Sequence, residues 1–191
     1  MQDFPNFIIN NSVLNPAITV ALVVSKNLSL LRGTFYIVFQ LLGALVGSFI
    51  IKLIHPNQKG ATSILNNRVS IAQGFFFEMF TTTVLTMAVL ILVIERKESV
   101  FKSSFGVGMT LLVTGLCSGP FTGASLNPAR TFGTSIIWND YGRAHWIYYL
   151  GPLLGSLLAF SLWNLLKISK IIVAKSYDNN NDNDKVDIES I

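Results

Sequence analysis

Four long apolar runs, at residues 34–54, 74–94, 103–119 and 146–166, decide what this chain can become. Each matches or approaches the roughly 20 residues a helix needs to cross a hydrocarbon core of about 30 Å. A bilayer core offers no water to backbone polar groups, so such runs fold as helices that satisfy their own hydrogen bonds. A water-soluble helical bundle is the alternative, but four helices of this kind would leave it almost no polar surface. Only 13% of the residues are charged, against about 25% in soluble domains, and mean hydropathy is +0.53. The charges gather between the runs. Lys52 can snorkel at the end of the first, Arg96 and Lys97 close the second, and Trp146, Tyr148 and Tyr149 open the fourth as an interfacial aromatic belt. The chain is therefore expected to be an all-α, multi-pass membrane protein in a lipid bilayer.

Other classes find little support. The net charge is +4, but the basic residues stand singly at segment ends and form no stripe for nucleic acid. A single cysteine, Cys117, excludes an internal disulfide framework and reads as a small packing residue. No metal-ligand spacing occurs, no cofactor is implied, and no run carries a paired base and nucleophile, so the chain does not read as an enzyme. His55 and His145 lie at span ends as interfacial residues. No basic segment followed by an apolar core marks the start as a cleaved signal peptide.

With four crossings in strict alternation, Lys26, Arg32, Arg96, Lys97, Lys102, Lys167, Lys170, Lys175 and Lys185 share one side. Lys52, Lys59, Arg68, Arg130 and Arg143 fall on the other. The positive-inside bias then places the C-terminus in the cytosol. Residues 176–191 are rich in Asn and Asp, cannot bury a core, and are expected to form a disordered polar cytosolic tail.

A repeat carries the functional signal. Leu14-Asn15-Pro16-Ala17-Ile18-Thr19 recurs as Leu126-Asn127-Pro128-Ala129-Arg130-Thr131. Downstream of each copy, at nearly the same separation, a span contains Gly43-Ala44-Leu45-Val46-Gly47-Ser48 or Gly151-Pro152-Leu153-Leu154-Gly155-Ser156. Three spans separate the copies, so they enter the membrane from opposite faces, the inverted arrangement that builds a site at the bilayer midplane. Asn is a favoured N-cap and Pro a favoured first helical residue, so each copy opens a helix. The runs 17–24 and 129–137 are too short to span and suit half-membrane helices. Two such helices would meet N-terminus to N-terminus, each end carrying about half a positive charge. That pair repels cations, hydronium included, while the Asn15 and Asn127 amides donate hydrogen bonds to water and interrupt a proton-conducting chain.

At these residues the sequence resembles the aquaporin, or major intrinsic protein, family, and its fungal water channels in particular. The most specific stretch runs from Thr122 to Gly133. His145-Trp146-Ile147-Tyr148-Tyr149-Leu150-Gly151-Pro152 and Phe77-Glu78-Met79-Phe80 add to it. The resemblance implies an inverted repeat of spans plus two Asn-Pro-Ala half-helices, Asn15-Pro16-Ala17 and Asn127-Pro128-Ala129, with water as the permeant. It places Arg130, Gly115 and Ala124 at the outer selectivity constriction. The two small side chains there would widen the filter and admit glycerol or another small neutral solute. Thr131, where glycerol-conducting relatives carry aspartate, and the Tyr148-Tyr149 pair match the water-channel pattern. Glu78 would support the pore by accepting backbone hydrogen bonds near the second half-helix. A homo-tetramer is also implied.

One departure stands out. The second repeat, residues 74–167, has two spans ahead of its motif. The first, residues 1–54, has only 14 residues ahead of Asn15, against about 20 for each span. The expectation is an aquaporin-like domain over residues 1–175 that lacks the family's first two helices. It would then be either a channel or a non-conducting chain that needs another aquaporin chain to complete its pore.

Overall fold

The computed structural model describes residues 13–56, 62–96 and 98–189, with side chains through residue 169. Residues 1–12 of the first repeat, Lys59, Lys97 and the side chains of Lys170, Lys175 and Lys185 lie outside that description. The described residues form helices and connections, with no strand.

Five of the six α-helices described begin where a polar side chain takes up a free N–H. α1 (Pro16–Val24) starts at Asn15, whose backbone is extended and whose side chain accepts from the Ala17 N–H, with Pro16 in the first turn. α2 (Leu30–Ile54) is capped by Ser29. α3 (Ile71–Val89) opens with a reciprocal Ser70–Gln73 capping box and continues as a π-helical turn, Leu90–Glu95. α4 (Val100–Thr122) is capped by Ser99, holds Pro120 in its last turn, and ends on Gly123 in the left-handed region. α5 (Pro128–Trp138) starts at Asn127 and ends on left-handed Asn139. α6 (Ile147–Glu189) closes the chain.

Among the described residues, four helices are long and apolar enough to cross a membrane: α2, α3 with its π turn, α4, and residues 147–169 of α6. With 9 and 11 residues, α1 and α5 reach about 14 and 17 Å at 1.5 Å per residue, roughly half a hydrocarbon core.

In lipid, apolar burial does not drive helices together, so close packing and polar contacts must. The α2–α5 seam shows the first. A Cβ at Gly133 would collide with the Ala44 carbonyl, so glycine permits the two backbones to touch. The α3–α6 seam shows both. A Cβ at Gly155 would strike the Met79 carbonyl, and the Thr83 hydroxyl donates to the Gly155 carbonyl at 3.0 Å. Tyr148 adds a further tie, its hydroxyl donating to the Thr122 carbonyl at 2.9 Å.

Residues 1–160 and 161–191 separate as two compact units. In the second, the Lys167 ammonium lies 3.8 Å from the centre of the Trp163 ring. Its helical backbone runs on to Glu189, where composition predicts disorder from residue 176. A helix already nucleated in a span elongates at one hydrogen bond per added residue, which is how a polar continuation can hold helical form.

Candidate pore site

The two motifs come together. Asn15 Nδ2 donates to the Leu126 carbonyl at 2.7 Å, and Asn127 Nδ2 donates to the Leu14 carbonyl at 2.9 Å. Each asparagine also caps its own helix, Asn15 Oδ1 accepting from Ala17 N at 2.9 Å and Asn127 Oδ1 from Ala129 N at 3.0 Å. This reciprocity is the inverted repeat expressed in hydrogen bonds, and it sets the half-helices N-terminus to N-terminus. One hydrogen of each amide is spent on the opposite loop, and the other, which has no protein acceptor among the described residues, is the one left to donate to water. Pro16, Ala17, Pro128 and Ala129 are buried behind the caps.

The loop into the second motif has an unusual backbone. Gly123, Ala124 and Leu126 all have positive φ, at 74°, 48° and 51°. Such a conformation is costly for alanine and leucine and needs external support. Glu78, fully buried on α3, supplies it. Its Oε1 accepts from the Thr122 hydroxyl at 2.6 Å and Ser125 N at 2.9 Å, and its Oε2 accepts from Leu126 N at 2.8 Å. Hydrogen bonds to a carboxylate are roughly twice as strong as neutral ones, so one side chain fixes both the ends and the middle of the strained turn.

Arg130, in the first turn of α5, bends back over this loop. Its Nη1 donates to Ser63 Oγ at 2.8 Å and to the Ala124 carbonyl at 3.0 Å. That accounts for both Nη1 hydrogens. Among the described residues, Nε and Nη2 have no protein acceptor.

These groups border one cleft of about 490 Å³, lined among others by Asn15, Gly115, Ala124, Asn127 and Arg130. A Cβ at Gly115 would meet nothing within 4 Å, so its side of the cleft is open. Glu78 stands behind the loop and does not line the cleft.

Several residues have roles that sequence reasoning overlooked. Buried Gln40 on α2 donates to the Val13 carbonyl at 2.8 Å and the Thr19 hydroxyl at 2.9 Å, holding the approach to the first motif. A polar residue inside an apolar span was the available signal. Ser63 gave no signal at all, because it lies in a connection 67 residues from the arginine it touches. Lys52 Nζ donates to the Ile137 carbonyl at 2.6 Å, so it caps the end of α5 instead of only snorkelling. Cys117, expected as a packing residue, is exposed on α4 among the described residues. His145 shares a 3.0 Å hydrogen bond with the Tyr149 hydroxyl, and burial holds its imidazole below the usual range.

Comparison with known proteins agrees with this geometry. The family model "Major intrinsic protein" matches residues 7–163. Aquaporin-1 of Rhizophagus irregularis is 55% identical over 167 residues, covering 86% of this chain and 60% of that protein. Human Aquaporin-5 is 36% identical, with 78% and 58% covered. The X-ray structure of the aquaglyceroporin from Plasmodium falciparum superposes with a TM-score of 0.71 at 25% identity, over 80% of this chain and 71% of that one. The chain thus spans about 60% of the length of the Rhizophagus relative. With its paired half-helices, membrane-length helices and family match in agreement, this chain is a member of the major intrinsic protein, or aquaporin, family.

Proposed function

We propose that this chain supplies the larger part of a passive channel for water, with glycerol or another small neutral solute as a second permeant. The observation that carries the reading is the reciprocal Asn15–Leu126 and Asn127–Leu14 pairing on the same cleft as Arg130. Two helix N-termini meeting there place about half a positive charge each at the midpoint and repel cations. The remaining amide hydrogens of Asn15 and Asn127 bind the permeating oxygen and turn its own hydrogens away, so no proton wire forms. The free Nε and Nη2 groups of Arg130 add a second cationic barrier and a set of donors. Nothing in this scheme breaks or makes a covalent bond. Gly115 and Ala124 leave room at the filter for a solute wider than water.

The cleft needs protein on its far side. In their most apolar stretches, α2 and α4 are each only 11% buried, against 39% for α3. Backbone and amide groups at a half-helix start cannot face hydrocarbon unsatisfied. We propose that two further spans, from polypeptide beyond the residues described, complete the wall, and that residues 1–191 by themselves conduct little. The charge bias favours a cytosolic C-terminus, and family resemblance favours a tetramer.

The test joins this chain to the N-terminal part of the Rhizophagus relative and measures osmotic water flow and glycerol uptake in proteoliposomes. Water flow is expected, and Gly115→His should lower the glycerol-to-water ratio. An unchanged ratio would remove Gly115 from the filter. Absence of water flow in a folded, inserted joined protein would overturn the channel reading.

A further inference from the structure

We propose that Ser63, outside both motifs, is a positioning residue that sets the pose of Arg130 through a directed chain of hydroxyls. The inference rests on the channel reading only for its consequence in selectivity; the chain itself follows from counting hydrogens.

Four contacts are involved besides the one from the arginine to the Ala124 carbonyl. Arg130 Nη1 lies 2.8 Å from Ser63 Oγ, Ser63 Oγ 3.0 Å from Thr131 Oγ1, and Thr131 Oγ1 2.5 Å from Ser125 Oγ. Ser125 Oγ lies 3.1 Å from the Asn127 carbonyl. A carbonyl only accepts, so Ser125 gives its single hydroxyl hydrogen to Asn127. Thr131 must then donate to Ser125, and Ser63 must donate to Thr131. Ser63 is left as an acceptor, and the guanidinium, which only donates, meets it. One direction alone satisfies every contact: Arg130 to Ser63 to Thr131 to Ser125 to the Asn127 carbonyl. Ser63, Thr131 and Ser125 are 1%, 0% and 3% exposed, so water does not compete, and donors aligned in series strengthen one another.

The chain joins the filter to the motif. Ser125 is also held through its backbone N–H by Glu78, and the Asn127 carbonyl belongs to the residue that caps α5. A permeant therefore meets a guanidinium whose Nη1 edge is fixed and whose other three hydrogens are free. Without Ser63 that edge keeps only the Ala124 carbonyl and can swing into the cleft. The Ser63 connection has anchors of its own. Asn66 N donates to the Phe121 carbonyl at 2.9 Å, Asn66 Nδ2 to the Pro120 carbonyl at 3.1 Å, and Arg143 Nη2 to the Asn66, Asn67 and Val69 carbonyls. Losing one hydroxyl should leave the connection in place and free only the arginine.

The experiment follows phenylglyoxal modification of each arginine in the full chain in proteoliposomes, by peptide mass spectrometry. Ser63→Ala should speed modification of Arg130 about tenfold, the change expected for losing one hydrogen bond to a charged group, and leave Arg143 unchanged. Ser63→Thr, which keeps the hydroxyl, should restore the parent rate. Thr131→Val, which breaks the chain one link further on, should raise Arg130 reactivity less than Ser63→Ala does. An unchanged Arg130 rate in Ser63→Ala would overturn the proposal. So would an increase shared with Arg143, since that would make Ser63 a mere anchor for its connection. These rates need no conduction, so a silent channel would count against the channel reading alone. In the joined protein, Ser63→Ala should raise the glycerol-to-water ratio, and should add nothing once Arg130 is replaced by alanine.

Discussion

The loops that lead into the two half-helices share a Leu-Asn-Pro-Ala ending and are held in different ways. The second is gripped by a carboxylate. Both oxygens of Glu78 are occupied, three donors of the loop are satisfied, and a hydroxyl chain runs on to the arginine. The first is held by an amide. Gln40 donates twice, to Val13 and Thr19, while its own Oε1 is buried without a partner among the described residues. The half-helices differ in their neighbours too. α5 lies along α2 in backbone contact, and the loop before it is backed by α3 and α6. A half-helix that starts inside a membrane can be no better ordered than the polar groups behind its entrance. By that measure, among the described residues, the second entrance has more polar support than the first.

Removing each loop's holder should produce the largest contrast. Glu78→Leu strands two buried backbone donors, Ser125 N and Leu126 N, at about 1–3 kcal/mol each, while the Thr122 hydroxyl keeps the Ser118 carbonyl; the change should cost several kcal/mol. Gln40→Leu leaves a carbonyl and a hydroxyl that still has its own acceptor in the Asn15 carbonyl, and should cost about 1–2 kcal/mol. Thermal melting of the detergent-solubilised protein compares them. Equal losses would break the contrast between the two entrances.

A smaller effect belongs to the seam between α2 and α5. Gly133→Ala drives a methyl into the Ala44 carbonyl and should cost about 1–3 kcal/mol as the helices separate. Gly43→Ala, on α2 where an added Cβ meets nothing, should stay within about 0.5 kcal/mol. A neutral Gly133→Ala in the same melting assay would mean that the seam is looser than its backbone contact implies.

Smallest of the three is the cap at the far end of α5. Lys52→Met removes a cation from the helix C-terminus and should cost about 0.3–1 kcal/mol. Hydrogen exchange at residues near Ile137 should rise locally, without change at Ala17. A rise in both half-helices would show Lys52 acting globally, and would blur the distinction between them.

Much of the fold can be read from the chain, for identifiable reasons. Run length alone locates the four spans, because a bilayer imposes its thickness on every one of them. The first three start a few residues earlier than apolarity suggests. Ser29, Ser70 and Ser99 cap the helices, and a cap responds to free N–H groups and not to hydropathy. The half-helices are legible because Asn-Pro at a helix start has a physical meaning even in one copy, and two copies fix their relation. The buried carboxylate is legible because an acid in an apolar span must find donors. Gln40 was open to the same reasoning and escaped it, being neutral. Cys117 is exposed among the described residues, on an α4 whose apolar stretch is mostly uncovered, so its expected packing has no neighbour there. Ser63 could not be read at all: a lone serine in a connection becomes informative only when folding sets it beside Thr131 and Arg130.

The central claim is that the paired motifs define a water path whose far wall lies outside the residues described. Osmotic shrinkage of liposomes tests it, comparing the purified 191-residue chain, the same chain joined to two N-terminal spans of the relative, and protein-free vesicles. The account predicts near-background flow for the chain alone and fast flow for the joined protein, lost when Asn127 is replaced by a bulky apolar residue. Fast flow through the chain alone, equally sensitive to Asn127, would contradict the claim and mean that copies of this chain close the cleft for one another.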